Sequence, residues 1–345
     1  MDVILHVADY YVLDNLWAKL LPLEPAHTVS VNASRPVWLD GFIESLPQFL
    51  QPPSLDPLTA VASSSPFFAP SVSAWPREYF VRQILSVATL TMIGIVALYM
   101  IFAGLSYYFI FDHRMMRHPR FLKNQVKLEI ETSMQSFPGM MVLTLPWFMG
   151  EVRGYSRLYS NVEDYGLAYL ILSVPFFLLF TDYCIYWIHR WLHLPWFYKN
   201  IHKPHHKWLI PTPFASHAFH PVDGYSQSVP YHLFVFLFPM HQHLYLALFV
   251  AINFWSIFIH DSDMLVSAGS KVERFINTPA HHTLHHLYFT CNYGQYFTWA
   301  DRYGGSYRAP QADLDPILEI LALDKAGVAK AAEEKEAIIE SKKDQ

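Results

Sequence analysis

The run from Ile84 to Phe111, ILSVATLTMIGIVALYMIFAGLSYYFIF, carries no formal charge over 28 residues. A helix needs about 20 predominantly apolar residues to cross roughly 30 Å of hydrocarbon, so this run predicts a transmembrane span. Further spans are expected over Ser133 to Gly150 and over Gly166 to Ile188, the latter interrupted by Pro175 and ending near Asp182. The apolar stretch from Val229 to Ile259 is broken by Pro239, His241, Gln242 and His243. Its pieces span poorly one by one, so a hairpin that dips into the bilayer and returns, or two tilted packed helices, is expected. The composition agrees, with hydrophobic residues at 52% and charged residues at 15%. The fold class predicted is an all-α integral membrane protein of about four transmembrane helices or hairpins under a helical cap.

Orientation follows from lysine and arginine. Arg114, Arg117, Arg120, Lys123 and Lys127 crowd the loop after the first span, whereas the loop after the second has only Arg153 and Arg157 among three acids. The first loop is therefore expected in the cytosol, with residues 1–80 lumenal. The sequon Asn32-Ala33-Ser34 would then be open to glycosylation. The terminal Lys342-Lys343-Asp344-Gln345 resembles a dilysine retrieval signal. Together these point to the endoplasmic reticulum membrane, multi-pass, with the C-terminus cytosolic. The start MDVILHVADYY lacks a basic n-region and a small-residue cleavage pattern, so no cleavable signal peptide is expected. The expected organisation is 1–80 as a loosely ordered lumenal segment, 81–165 as two spans around the basic loop, 166–308 as the catalytic domain and 309–345 as a charged cytosolic tail. A net charge of −5 gives no reason to expect a nucleic-acid partner.

Histidine carries the chemistry. Of 19 histidines, 15 lie from His189 onward. His189 and His193 form HRWLH; His202, His205 and His206 form HKPHH; His282, His285 and His286 form HTLHH. Side chains at i, i+3 and i+4 share a helix face, so each cluster can present imidazoles to one centre. Eight such donors exceed the four that one zinc usually takes, and two metal ions are expected. The only cysteines, Cys184 and Cys291, exclude a thiolate site and a disulfide framework. Chance spacing in a histidine-rich region is the bland alternative, and it weakens with each repeat of the pattern.

Around the clusters, Asp182 lies two helical turns before His189 and is expected to back a metal-bound imidazole; pairing with Arg190 is the alternative. His217, His220 and His260 are left open as additional ligands. Thr278 and Pro279 suit the N-cap and first position of a helix bearing the last cluster, with His281 turned toward an outer layer or the surface. His6, His27, His113, His118, His232, His241 and His243 are read as non-ligands. Imidazole suits zinc, copper, iron and nickel alike. An all-histidine dinuclear site beside a bilayer fits iron and O₂ chemistry on a lipid best.

The ordered boxes H-R-x-x-H, H-x-x-H-H and H-x-x-H-H, from about Phe176 to Arg308, resemble the fatty acid hydroxylase and sterol desaturase superfamily. The connecting text HKPHHKWLIPTPFASHAFHPVDGYSQSVPYH and AHHTLHHLYFTCNYGQYFTWADRYGGSY is similar to its fungal sterol C-5 desaturases of the lathosterol oxidase type. The resemblance implies a non-haem di-iron centre on His189, His193, His202, His205, His206, His282, His285 and His286. It also implies insertion of the C5=C6 double bond into a delta-7 sterol for ergosterol biosynthesis. O₂ would be consumed, with NAD(P)H electrons delivered by cytochrome b5 and its reductase. The basic surface Arg114 to Lys127, and Lys199, Lys203 and Lys207, would meet acidic cytochrome b5 or anionic membrane lipids. Within the superfamily a 4-methyl sterol oxidase or other lipid hydroxylase is the alternative. A histidine-rich metal transporter is the alternative outside it, disfavoured because the first two boxes follow a span instead of lying within one.

Overall fold

The computed structural model describes residues 1–23, 72–261 and 271–327, with four isolated positions between 45 and 67. Asn32 and Lys342-Lys343-Asp344-Gln345 lie outside the described residues. The chain divides into two compact units, one of residues 1–94 and 141–157, the other of 95–140 and 158–345.

In the first unit, Asp2–Ala8, Asp9–Leu13 and Asp14–Leu20 run on as helix, the middle segment a single π turn. Part of the 1–80 segment expected to be loose is thus ordered, and its anchors are ionic and aromatic. The Arg82 guanidinium donates to Asp9 at 2.9 Å and to Asp14 at 2.5 Å, and Arg77 also donates to Asp14. Trp17 packs on Trp75, which meets Tyr79 edge-on. Further hydrogen bonds lower the cost of burying an ion pair; Arg82 gains a third bond, to the Trp75 carbonyl, while its Nε is buried with no hydrogen-bond partner.

Two helices, Phe80–Phe109 and Gly166–Leu192, are apolar and long enough to cross a membrane, and Gln242–Phe258 is apolar but shorter. At 1.5 Å per residue the first is about 45 Å long. Their apolar surface is largely uncovered: Leu85, Ile93, Ile101 and Leu105 on one, and Leu167, Ile171, Leu172 and Leu179 on the other, are exposed. Contiguous apolar surface of this extent marks contact with lipid or another protein.

The span expected over Ser133 to Gly150 lies inside a longer helix, Gln125–Val152. Its N-terminal half carries polar residues that face inward. Gln125, Glu129, Ser133 and Ser136 recur every three or four residues and are all buried. Glu129 accepts from Gln125, from the Thr212 amide and from the Thr212 hydroxyl, while Gln125 donates to the Ile210 carbonyl and Ser133 to that of Phe214. This helix therefore holds the 210–214 segment just after the second histidine box.

The break expected near Pro239 is present: one helix is Pro221–Leu237, the next Gln242–Phe258. The first starts earlier than the 229–259 run suggested, because His220 caps it and Pro221 occupies its first turn. Between them, Met240–His241 pairs in parallel with Leu158–Tyr159, a two-residue ladder in an otherwise helical unit. Phe177, Phe234, Val235, Met240, Tyr245, Ile252 and Tyr296 form the core shared by these helices and Gly166–Leu192. That core fixes the helix whose last turn carries His189.

Candidate metal centre

Nine buried or half-buried histidines converge in the second unit and sort into two groups. One is His189, His193, His202, His206 and His285; the other is His205, His260, His282 and His286. Within each, the ligand nitrogens all lie within 4.8 Å of one another. The groups do not follow the boxes. In HKPHH and HTLHH the first and last histidines, at i and i+4, join one group, and the histidine at i+3 turns to the other.

Local structure explains the presentation. His189 lies in the last turn of Gly166–Leu192, and His193 caps it. His202 ends a π turn, Tyr198–His202, and His205 opens a 3-10 turn, His205–Lys207. His282, His285 and His286 sit on Pro279–Tyr288, with Pro279 in its first turn and Thr278 as its cap. His281 completes a capping box there: its Nδ1 accepts from the Thr278 amide at 3.2 Å. His281 is fully buried, so it belongs to the helix start and not to the surface.

Several tautomers follow from the outer hydrogen bonds. His189 Nδ1 donates to the Tyr293 carbonyl at 3.0 Å, His285 Nδ1 to Cys291 at 2.8 Å, and His260 Nδ1 to Ser256 at 2.6 Å. His202 Nδ1 donates to the Asp223 carboxylate at 2.6 Å. A ring that donates from Nδ1 while neutral keeps a bare lone pair on Nε2. His189 Nε2 and His285 Nε2 are buried with no hydrogen-bond partner. Burial, reinforced by the neighbouring imidazoles, pushes His205, His206, His282, His285 and His286 well below the ordinary histidine pKa. They are neutral, the form that binds metal.

Spacing tests the fit. His206 Nε2 lies 3.1 Å from His202 Nε2 and 3.2 Å from His193 Nε2. His282 Nε2 lies 3.0 Å from His260 Nε2 and 3.2 Å from His286 Nε2, and His260 Nε2 is 3.4 Å from His205 Nε2. With metal–nitrogen bonds of about 2.1 Å, neighbouring ligands lie about 3.0 Å apart in an octahedron and about 3.4 Å in a tetrahedron. Converging lone pairs at these distances repel unless a cation sits among them. The donor set fits one metal ion per group.

The three histidines left open by the sequence separate. His260 stands inside the four-histidine group. His217 lies against the rings of Tyr99 and Phe137, with its Nδ1 3.0 Å from the Ser216 hydroxyl. His220 caps Pro221–Leu237 by accepting from the Val222 amide. Neither joins a group. Asp182 is buried, but its Oδ1 takes the backbone amides of Gln295, Tyr296 and Phe297 at 2.7–3.2 Å. It reaches the centre through the loop that supplies the Tyr293 carbonyl, and not through an imidazole. Asp301 braces the same loop by accepting from the Tyr293 and Gly294 amides. The carboxylate that does face an imidazole, Asp223, escaped sequence reasoning because no spacing links it to His202.

The basic loop lies at the surface and carries ion pairs within the chain. Arg117 pairs with Asp324, Arg120 with Glu319 and Lys127 with Glu131, so much of that charge is met within the chain.

Comparison with known proteins places the histidine groups within a recognised family region. The model of the fatty acid hydroxylase family matches residues 174–306, which hold all nine histidines. The chain is 49% identical over 95% of its length to the Delta(7)-sterol 5(6)-desaturase ERG3B of Gibberella zeae, covering 96% of that protein. It is 50% identical over 81% to the Delta(7)-sterol 5(6)-desaturase erg3C of Aspergillus fumigatus, covering 93%. It is 51% identical over 71% to the lathosterol oxidase of Homo sapiens, covering 83%. No solved structure matches the chain.

Proposed function

The chain belongs to the fatty acid hydroxylase family, and from that premise we propose that it is a sterol C-5 desaturase, acting on a delta-7 sterol with an iron ion at each histidine group. The observation that carries the reading is the pair of convergent, all-nitrogen histidine groups, buried except at His193. The relatives' names support the sterol and the bond. Each turnover removes one hydrogen from C-5 and one from C-6, and these two hydrogens, two electrons and two further protons reduce O₂ to two waters. When bound, the irons supply the oxidising power for the allylic C-6 hydrogen, with O₂ as oxidant and NAD(P)H electrons arriving through cytochrome b5 and its reductase.

The chain's own part is to hold, orient and exclude water. Eight of the nine imidazoles are buried and His193 is half-buried, so solvent meets the groups at one edge. Carbonyls of Tyr293, Cys291 and Ser256 and the Asp223 carboxylate fix ring orientation before any metal arrives. Tyr293 and Tyr198 lay their rings beside His193, 5.0 and 5.5 Å away, and wall the five-histidine group. The chain is a membrane protein. We further read it as multi-pass in the endoplasmic reticulum with the groups cytosolic, supported by the uncovered apolar helices and the basic loop after the first.

Sterol analysis tests the reading. Cells lacking the protein accumulate delta-7 sterols without the 5,7-diene, and His202→Ala or His285→Ala fails to restore it. Normal 5,7-diene with accumulated 4-methyl sterols rejects the desaturase. Metal analysis of purified protein is expected to give near two irons per chain; stoichiometric zinc after anaerobic, iron-replete handling counts against the oxidase chemistry.

A further inference from the structure

The two histidine groups are backed differently. In the five-histidine group His202 donates from Nδ1 to Asp223 Oδ2 at 2.6 Å, and both side chains are fully buried. The other Asp223 oxygen accepts from Gln227 Nε2 at 2.8 Å, one helical turn on. Asp223 sits in the first turn of Pro221–Leu237, where the helix N-terminus favours negative charge. In the four-histidine group His260 donates to a backbone carbonyl. Among the described residues, no carboxylate is hydrogen-bonded to any member of that group, and His205 Nδ1 is buried with no hydrogen-bond partner.

A carboxylate acceptor makes an imidazole a stronger electron donor than a neutral carbonyl does, because partial N–H transfer leaves the ring closer to imidazolate. The geometry points to Asp223 as a positioning residue that makes the two metal positions inequivalent. Through His202 it tightens the five-histidine position and leaves the four-histidine position unaffected. This rests on the proposed metal pair and adds the assignment of one carboxylate to one position. The helix start supplies the anchoring: the Asp223 amide bonds back to the His220 carbonyl at 2.9 Å, so the carboxylate is fixed by the cap at the head of the helix.

The test uses cobalt(II) alone as probe, titrated into the full-length apo protein in detergent and followed by visible d–d absorption. Wild type is expected to take up two equivalents. Asp223→Asn keeps a neutral oxygen acceptor in place and removes the charge; it weakens one binding step by about 10–100-fold, the usual effect of an outer partner, and leaves the other unchanged. Paired substitutions assign the step. With His282→Ala disabling the four-histidine position, Asp223→Asn still weakens the remaining site. With His189→Ala and His285→Ala together reducing the five-histidine position to three nitrogens, it changes nothing. An equal loss at both steps, no loss at either, or an effect surviving that double substitution overturns the inference. If Asp223→Asn does not accumulate as folded protein, Gln227→Leu removes only the second bond to the carboxylate: a loss confined to the same step supports the inference, and an equal or absent loss overturns it. Wild type binding fewer than two cobalt ions overturns the metal pair itself, a result independent of how the variants compare.

Discussion

His260 belongs to none of the three histidine boxes, so its removal tests the four-histidine group most directly. Its Nε2 lies 3.0 Å from His282 Nε2 and 3.4 Å from His205 Nε2, and the ring is 3% exposed. His260→Ala leaves three nitrogens at that position. Iron supplied at 100 times its dissociation constant stabilises a folded chain by about 2.7 kcal/mol. A site weakened about 100-fold, the upper end of what losing even an outer partner costs, retains only about 0.4 kcal/mol under the same conditions. The difference, about 2.3 kcal/mol, corresponds to about 5–9 °C in a domain of this size, at 2–4 °C per kcal/mol. The assay is thermal unfolding with and without iron, comparing the metal-dependent shift so that the cavity left by the ring cancels. Wild type is expected to show the full shift and near two equivalents of metal, and the variant about one and a half equivalents, its weakened site half filled, with the shift reduced by that amount. His220→Ala, which loses a cap worth about 1 kcal/mol, should keep both equivalents. Two equivalents and an undiminished shift in His260→Ala would refute its membership of the group.

Three further outcomes follow. Burial holds His217 down to about 4, so the unfolded chain carries one more proton there between about pH 4 and 6.5. Its contribution to stability is complete above about pH 6.5 and is lost as pH falls toward 4; His217→Phe should therefore recover about 2 kcal/mol of the stability that apo protein loses between pH 7 and 5, and an unchanged loss in unfolding experiments counts against the buried neutral ring. A Cβ on Gly294 would stand 2.5 Å from the Phe297 carbonyl oxygen and 3.0 Å from Asp301 Oδ2. Gly294→Ala should cost about 1–3 kcal/mol by overpacking and weaken metal uptake through Tyr293, whereas wild-type behaviour in both measurements excludes a rigid loop. Asp182→Ala strips the acceptor from three backbone amides at once and should cost about 3 kcal/mol or more, seen as loss of folded protein on size-exclusion chromatography; a normally folded variant would show that the 295–297 loop holds without it.

The boxes were legible because helical spacing projects ligands without help from tertiary structure, and because Thr278 and Pro279 announce their helix locally. The long apolar helices were legible for a similar reason, since hydrocarbon imposes a length. His260 was visible only as an ionisable residue after an apolar stretch; its partners come from segments 22 and 55 residues away. The carbonyls of Tyr293, Cys291 and Ser256 carry no side-chain signature at all. Asp182 could be placed near the centre by its helical phase, but its partners are amides from a loop more than 110 residues on. The assignment of i and i+4 to one group and i+3 to the other needs the relative placement of three segments, which spacing within each cannot supply.

Gly166–Leu192 joins an apolar length to a ligand without an intervening loop: His189 is one turn from its end. In a bilayer, such a helix works as a depth gauge. Where the hydrocarbon is thinner than the apolar length, the helix tilts, and the metal position at its end descends toward the acyl region with it. Sterol-rich membranes are a few ångströms thicker than the endoplasmic reticulum, so the sterol content to which this chemistry contributes also sets which carbon atoms of a lipid lie level with the histidine groups.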